Sequence, residues 1–349
     1  MNITINGKGI SAKSGQTILD AARSAGVYIP TLCYHEKVGA SARCRACAVK
    51  VKGRPDLVTA CNTAVTEGME IVTDSPEVIE AQRFVIKLAL SSGNHECIMC
   101  EKSGSCELQE AAYFLKLEDK DIVTGGKPPH LDDSSAFIRV DHTKCILCGR
   151  CVEACNHIAV NRVLKVMHRG YEARIGFDAD APMGESSCVQ CGECTQICPV
   201  GALVSKKSLG VSRFGDIEKV RTTCPYCGVG CQLSLHVRNG KIVKVTGEEN
   251  ASPNKGRLCV KGRYGYDFIY SGDRLTAPLI RENGSLREAS WEEALDLVAN
   301  RLKEIIARHG PDAIAGVSCA RSTNEDSYQM QKLFRAAIGT NNIDHCART

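Results

Sequence analysis

Aromatic residues make up only 5% of the sequence, and Trp291 is the sole tryptophan. That leaves little with which to stack bases. The charge is nearly balanced, 44 basic against 40 acidic residues for a net +4, which argues against a strongly basic nucleic-acid binder and against a disordered charged tail. No apolar run approaches the roughly 20 residues of a membrane span. The N-terminus, Met1-Asn2-Ile3-Thr4-Ile5-Asn6, has neither a charged stretch followed by an apolar core nor a twin arginine, so a cytoplasmic location is expected. A G-x-G-x-x-G dinucleotide fingerprint is also missing. What the chain has in quantity is cysteine, 21 in 349 residues. The chain is too long for a disulfide scaffold and long enough for two or more domains. In a reducing cytosol its cysteines are expected to be thiolates serving metal.

Nineteen of the cysteines fall into five groups, and Cys319 and Cys346 are left over. The third group (Cys145, Cys148, Cys151, Cys155) and the fourth (Cys188, Cys191, Cys194, Cys198) are an internal repeat of C-x2-C-x2-C-x3-C. This is the run that holds two [4Fe-4S] clusters in bacterial ferredoxins, where the fourth cysteine of each run serves the other cluster. The expected sets are therefore Cys145, Cys148, Cys151 and Cys198, and Cys188, Cys191, Cys194 and Cys155. Pro199 follows the second run as the motif expects, whereas Asn156 follows the first. Zinc would tolerate C-x2-C pairs but gives no reason for a doubled four-cysteine run.

The first group is Cys33, Cys44, Cys47 and Cys61. Ile3 and Ile5 alternate before the hairpin signal Asn6-Gly7, Thr17 to Ser24 reads as a short helix, and Val49 and Val51 alternate before Gly53. Strands, one helix and a cysteine-bearing loop suggest a β-grasp domain with a [2Fe-2S] centre. The stretch resembles the N-terminal [2Fe-2S] domain of complex I-type large subunits and iron hydrogenases. Zinc is the competing ligand chemistry here too.

The second group has only Cys97, Cys100 and Cys106. A cube needs a fourth ligand, and His95 stands beside the incomplete set. The stretch resembles the [4Fe-4S] domain with one histidine and three cysteine ligands in the same families. Many members place the histidine where Gly93 stands here. The shorter Asn94-His95-Glu96-Cys97 form is similar to small subunits of NAD-reducing hydrogenases. A helix leads in, capped by Ser75 with Pro76 in its first turn and Val78, Ala81, Val85 and Leu88 on one face.

The fifth group is Cys224, Cys227, Cys231 and Cys259. Between the third and fourth members, Leu233, Leu235 and Val237, then Asn239-Gly240, then Ile242, Val243 and Val245 read as a β-hairpin. This resembles the N-terminal [4Fe-4S] domain of enzymes with a molybdenum or tungsten bis-pterin guanine dinucleotide. The resemblance implies that Lys261 relays electrons between cluster and pterin.

Beyond Cys259, Ser290 and Glu293 form a capping-box signature. A helix to about His309 should carry Leu295, Val298, Leu302 and Ile305 or Ile306 on one face. Gly310-Pro311 stops it, Ala313 to Val317 reads as a buried strand, and Asn324 to Ile338 as a helix closed by Gly339. These are first units of an α/β domain, so the chain is expected to be incomplete. Ile338 to Thr349 resembles formate dehydrogenase α subunits just before their metal-binding cysteine or selenocysteine, implying a selenocysteine codon after Thr349. Cys319 and Cys346 are expected to be small buried apolar residues.

The expected fold is α+β and multidomain: 1–76 [2Fe-2S] β-grasp, 77–118 histidine-and-cysteine [4Fe-4S], 136–209 twin [4Fe-4S], 218–275 [4Fe-4S] of pterin enzymes, and 276–349 the start of a molybdopterin domain. One [2Fe-2S] and four [4Fe-4S] clusters would use all 20 ligands. The resemblance as a whole implies the electron-transfer part of a formate dehydrogenase catalytic subunit, interconverting formate and carbon dioxide. Its partners would be flavin- and NAD(P)-binding diaphorase-type iron–sulfur subunits, or ferredoxin. The 349 residues alone should not turn over formate. The alternatives are a non-catalytic electron wire in a complex I-like or NAD-reducing hydrogenase assembly, and a zinc-dependent binding protein.

Overall fold

Asn6 and Gly7 adopt left-handed backbone, with φ of 50° and 77°. That geometry suits a two-residue loop between twisted strands. The loop joins β1 (Asn2–Ile5) to β2 (Lys8–Ser11), with Ile5 opposite Lys8. The computed structural model describes residues 1–118, 130–210 and 217–346, and it divides into two units, Met1–Ile217 and Glu218–Thr349.

In the first unit, Thr17 and Asp20 form a reciprocal capping box on α1 (Ile18–Ser24). With β3 (Ala48–Val51), β4 (Val58–Thr59) and β5 (Glu70–Val72) the strand order is β2-β1-β5-β3-β4, β1 and β5 being parallel. Ile18 and Leu19 of the helix are buried with Ile3, Ile5, Val49 and Ile71 of the sheet. Each such side chain contributes about 1.5–3 kcal/mol by leaving water. Ser75 caps α2 (Pro76–Ser91), but the buried face is Val78, Gln82, Ile86 and Leu90. The expected face of Val78, Ala81, Val85 and Leu88 is rotated, leaving Leu88 exposed. The cause is polar: the buried Gln82 amide donates to the Ala48 carbonyl at 2.9 Å, so a glutamine takes an inward position.

After α3 (Glu107–Phe114) come β6 (Leu131–Asp132), β7 (Ile138–Asp141) and α4 (Arg150–Glu153), which runs on as a π-helical turn over Ala154–Ile158. The hairpin of β8 (Leu164–Met167) and β9 (Arg174–Phe177) separates this half-repeat from α5 (Glu193–Ile197) and β10 (Leu203–Ser205). The strands β10, β7 and β6 make one sheet. The sequence repeat recurs in the backbone. Leu147 and Gln190 have φ of 53° and 51°, and Gly149 and Gly192, just before their helices, 82° and 75°.

In the second unit, β11 (Glu218–Thr223), β12 (Gln232–Arg238) and β13 (Lys241–Gly247) form an antiparallel sheet, turning at Asn239-Gly240. Then follow α6 (Val260–Tyr264), a hairpin of β14 (Leu279–Glu282) and β15 (Ser285–Glu288), and α7 (Trp291–His309). Ser290 Oγ accepts from the Glu293 N–H, while the Glu293 carboxylate pairs with Arg287 at 2.6 Å. A charge-assisted bond thus displaces the second half of the expected box. Leu302 and Ile306 pack against Ile314, Phe334 and Ile338, whereas Leu295 and Val298 are exposed.

The next strand, β16 (Gly316–Ser318), starts later than expected because Pro311–Ala313 forms a helical turn, and Val317 is exposed. A helix, α8 (Asn324–Lys332), continues in π form to Ile338 and ends at Gly339. Finally β17 (Ile343–His345) pairs in parallel with β16. The end of the Ile338–Thr349 stretch, from residue 347, lies outside the described residues. Among those described, no helix is long and apolar enough to cross a membrane.

A Cβ on Gly316 would lie 2.5–2.8 Å from three atoms of the buried Phe334 ring. Gly316→Ala is therefore expected to destabilise this unit by about 1–3 kcal/mol through overpacking. Urea unfolding followed by circular dichroism measures it, and an unmoved midpoint would deny the contact.

Candidate metal centres

Cys47 immediately precedes β3 and Cys61 follows β4. Because those strands pair as Ala48 opposite Thr59, and the Ala60 N–H donates to the Cys47 carbonyl at 2.9 Å, the two cysteines come side by side. Cys33 and Cys44 arrive from the preceding loops, where Ala42 and Arg45 take left-handed backbone. The four thiols interact with one another. Hydrogen bonds from Cys44 and Cys61 pull the Cys33 thiol far below its ordinary range, and the same contact with Cys33 pushes Cys44 up.

Cys97, Cys100 and Cys106 line one cavity together with His95. Position 93 could not supply the ligand, since a Cβ there would overlap the Thr143 carbonyl oxygen. The His95 Nε2 lies 3.1 Å from the Ala89 carbonyl at the end of α2. With Nε2 donating there, the ring's lone pair sits on Nδ1, the tautomer that can bind metal.

The twin runs are crossed. One cavity is lined by Cys145, Cys148 and Cys151 of the first run and by Cys198 of the second. Cys188 and Cys194 in turn feel Cys191 and, from the first run, Cys155. Burial pushes the Cys148 thiol up to about 12 and Cys151 and Cys194 well above the ordinary range. Thiols crowded where none ionises readily alone are stabilised as thiolates by a cationic metal group. His142 lines the same cavity with its buried Nδ1 lacking a hydrogen-bond partner, and burial pushes its pKa down to about 4, so the ring is neutral.

Cys224 and Cys231 are joined by a backbone bond of 2.8 Å across β11 and β12. Cys224, Cys227 and Cys259 all act on Cys231, so the β unit gathers the fifth set. Lys261 is exposed on α6, two residues after Cys259. Cys319 and Cys346 depart from expectation. They follow the paired strands β16 and β17, their Sγ atoms are 3.5 Å apart, and Cys346 is exposed. Parallel pairing brings together two residues that sequence left without partners.

Among the described residues, no three His, Cys, Asp or Glu side chains are gathered tightly enough to hold a single metal ion. Two of the sets line cavities, and the soft thiolate donors suit iron–sulfur clusters. Sequence reasoning passed over His142, Gly201 and the Arg150–Glu107 pair. Their only local signal was a position within two or three residues of a cysteine run.

Five family models match the chain: a 2Fe-2S iron–sulfur cluster binding domain at 1–76, the NADH-ubiquinone oxidoreductase-G iron–sulfur binding region at 82–121, the ferredoxin-like domain of NADH-quinone oxidoreductase subunit 3 at 135–204, the molybdopterin oxidoreductase Fe4S4 domain at 217–271, and molybdopterin oxidoreductase at 274–349. The NADPH-Fe(3+) oxidoreductase subunit alpha of Geobacter sulfurreducens is 37% identical over 100% of this chain and 40% of its own length. A Bacillus subtilis protein named as an oxidoreductase is 37% identical over 99% of this chain and 39% of its own. A Staphylococcus aureus protein provisionally named formate dehydrogenase is 33% identical over 99% and 39%. The chain thus spans about two fifths of the length of these relatives. A chain of an NAD+-reducing [NiFe]-hydrogenase is 32% identical, with a TM-score of 0.56, over 60% of this chain and 89% of that one. Residues 217–271 and 274–349 are thus similar to molybdopterin oxidoreductases, and the preceding iron–sulfur regions to subunits of NADH-quinone oxidoreductase and of an NAD+-reducing hydrogenase.

Proposed function

We propose that the chain is the electron-transfer part of a formate dehydrogenase catalytic subunit, located in the cytoplasm. The observation that carries this reading is the series of five thiol sets leading into a molybdopterin oxidoreductase region. Formate as substrate is supported by the name of the Staphylococcus aureus relative. Cys33, Cys44, Cys47 and Cys61 would hold a [2Fe-2S] cluster. His95 with Cys97, Cys100 and Cys106, the two crossed sets, and Cys224, Cys227, Cys231 and Cys259 would hold [4Fe-4S] clusters. Bound there, the clusters supply one-electron transfer. Lys261, beside Cys259, would face a molybdenum or tungsten bis-pterin guanine dinucleotide in the whole protein. NAD(P)-linked flavin subunits or ferredoxin would exchange the electrons.

The ligand reading is tested at its least regular member. His95→Ala is expected to lose about four irons, one [4Fe-4S] unit. His95→Cys should retain them and lower that centre's midpoint potential, because a thiolate adds negative charge where the imidazole was neutral. Full iron in His95→Ala would remove His95 from the set. Formate-dependent dye reduction by the full-length protein tests the substrate.

The similarity to the hydrogenase chain favours a second reading, a non-catalytic electron wire in a complex I-like or hydrogenase assembly. Molybdenum or tungsten with pterin in the full-length protein would exclude it.

A further inference from the structure

Two of the ligand cavities share a wall. Val200 lines both the His95, Cys97, Cys100 and Cys106 cavity and the Cys145, Cys148, Cys151 and Cys198 cavity. Gly201 lines the first, and a Cβ built on it would overlap Cys100 Sγ and approach Lys144 Cδ to 3.5 Å. Gly201 does not have the left-handed backbone that glycine favours, so what this position uses is the missing side chain.

The wall is held from both sides. The Glu107 N–H, next to Cys106, donates to the Pro199 carbonyl at 3.0 Å. Arg150, from between Cys148 and Cys151, forks onto the Glu107 carboxylate with both arms at 2.5 Å. Lys144, which directly precedes Cys145, lines the histidine cavity.

We propose that Val200–Gly201 is the partition that sets the separation between the histidine-ligated centre and the Cys145, Cys148, Cys151 and Cys198 centre, with Gly201 the positioning residue that lets the loop after Cys198 close on Cys100. This rests on the cluster ligation proposed above. Across the partition a single electron leaves a reduced centre and arrives at its oxidised neighbour, with no proton moved and no bond made or broken.

The test uses the 349-residue chain reconstituted with iron and sulfide and reduced with dithionite. Iron and sulfide are counted first, so a chain that binds no cluster counts against the ligation and not against the partition. Pulsed EPR then reads the magnetic splitting of the histidine centre by its neighbour. In Gly201→Ala the iron count is expected to hold while the splitting shrinks. Full iron with an unchanged splitting would overturn the proposal. Should that variant shed the histidine centre, Cys145→Ala decides: removing the neighbour must abolish the splitting, and a splitting that survives refutes the shared wall.

Discussion

Cys198→Ala is expected to lose about four irons, and adding Cys145→Ala to it is expected to lose no more. The cavity of Cys145, Cys148 and Cys151 is completed by Cys198, although Cys198 stands in sequence with Cys188, Cys191 and Cys194. Two substitutions in one ligand set remove the same centre once, so their effects are not additive. Cys198→Ala combined with Cys188→Ala strikes two sets and should lose about eight irons, two [4Fe-4S] units. Iron analysis with Mössbauer spectroscopy reads the counts. If each run kept its own fourth cysteine the pattern would invert, with the 188/198 pair losing one unit and the 145/198 pair two.

Glu107→Ala should destabilise the first unit by about 3 kcal/mol. The Arg150 side chain is 1% exposed, and its two-armed contact with Glu107 is the ion pair that offsets its burial. Removing the carboxylate leaves a guanidinium stranded inside, a change that typically costs about 3–5 kcal/mol. The lower end applies because Glu107 is 38% exposed and water can partly replace it. Replacing both partners, as in Glu107→Leu with Arg150→Met, should recover most of the loss. Arg150 also lies close enough to Cys148 and Cys198 to feel their charges. The Glu107→Ala penalty should therefore shrink when those thiols are thiolates on a bound cluster, which supply the missing negative charge. Denaturant unfolding of the metal-free and reconstituted chains measures both. Equal midpoints for wild type and Glu107→Ala would sink the argument.

What was legible in the sequence was local. Asn-Gly turns at Asn6 and Asn239 demand left-handed backbone, and Thr17, Ser75 and Ser290 cap their helices, because those preferences act within four residues. The cysteine spacings were legible for the same reason, and the bacterial ferredoxin motif already gave the crossing. What stayed hidden depended on partners far along the chain. Gln82 turns inward for the carbonyl of Ala48, Arg150 is buried against Glu107, and Cys319 meets Cys346 because two strands pair in parallel. Periodicity leaves Gln82 off the inward face, since it carries no information on which distant acceptor awaits it. The α2 face and the Cys319–Cys346 reading failed for this one reason.

The crossed repeat also orders events during synthesis. When residues up to Cys155 have left the ribosome, four thiols are present but the cavity begun at Cys145 is still open, because its last wall is Cys198. Cys155 likewise waits for Cys188 and Cys194. Neither half of the repeat can be finished before the other is made. The nascent chain therefore carries unshielded thiols through the whole β8–β9 excursion. On the proposed ligation, the centre begun at Cys145 could be completed only after residue 198 emerges, and the one that uses Cys155 only after residue 194.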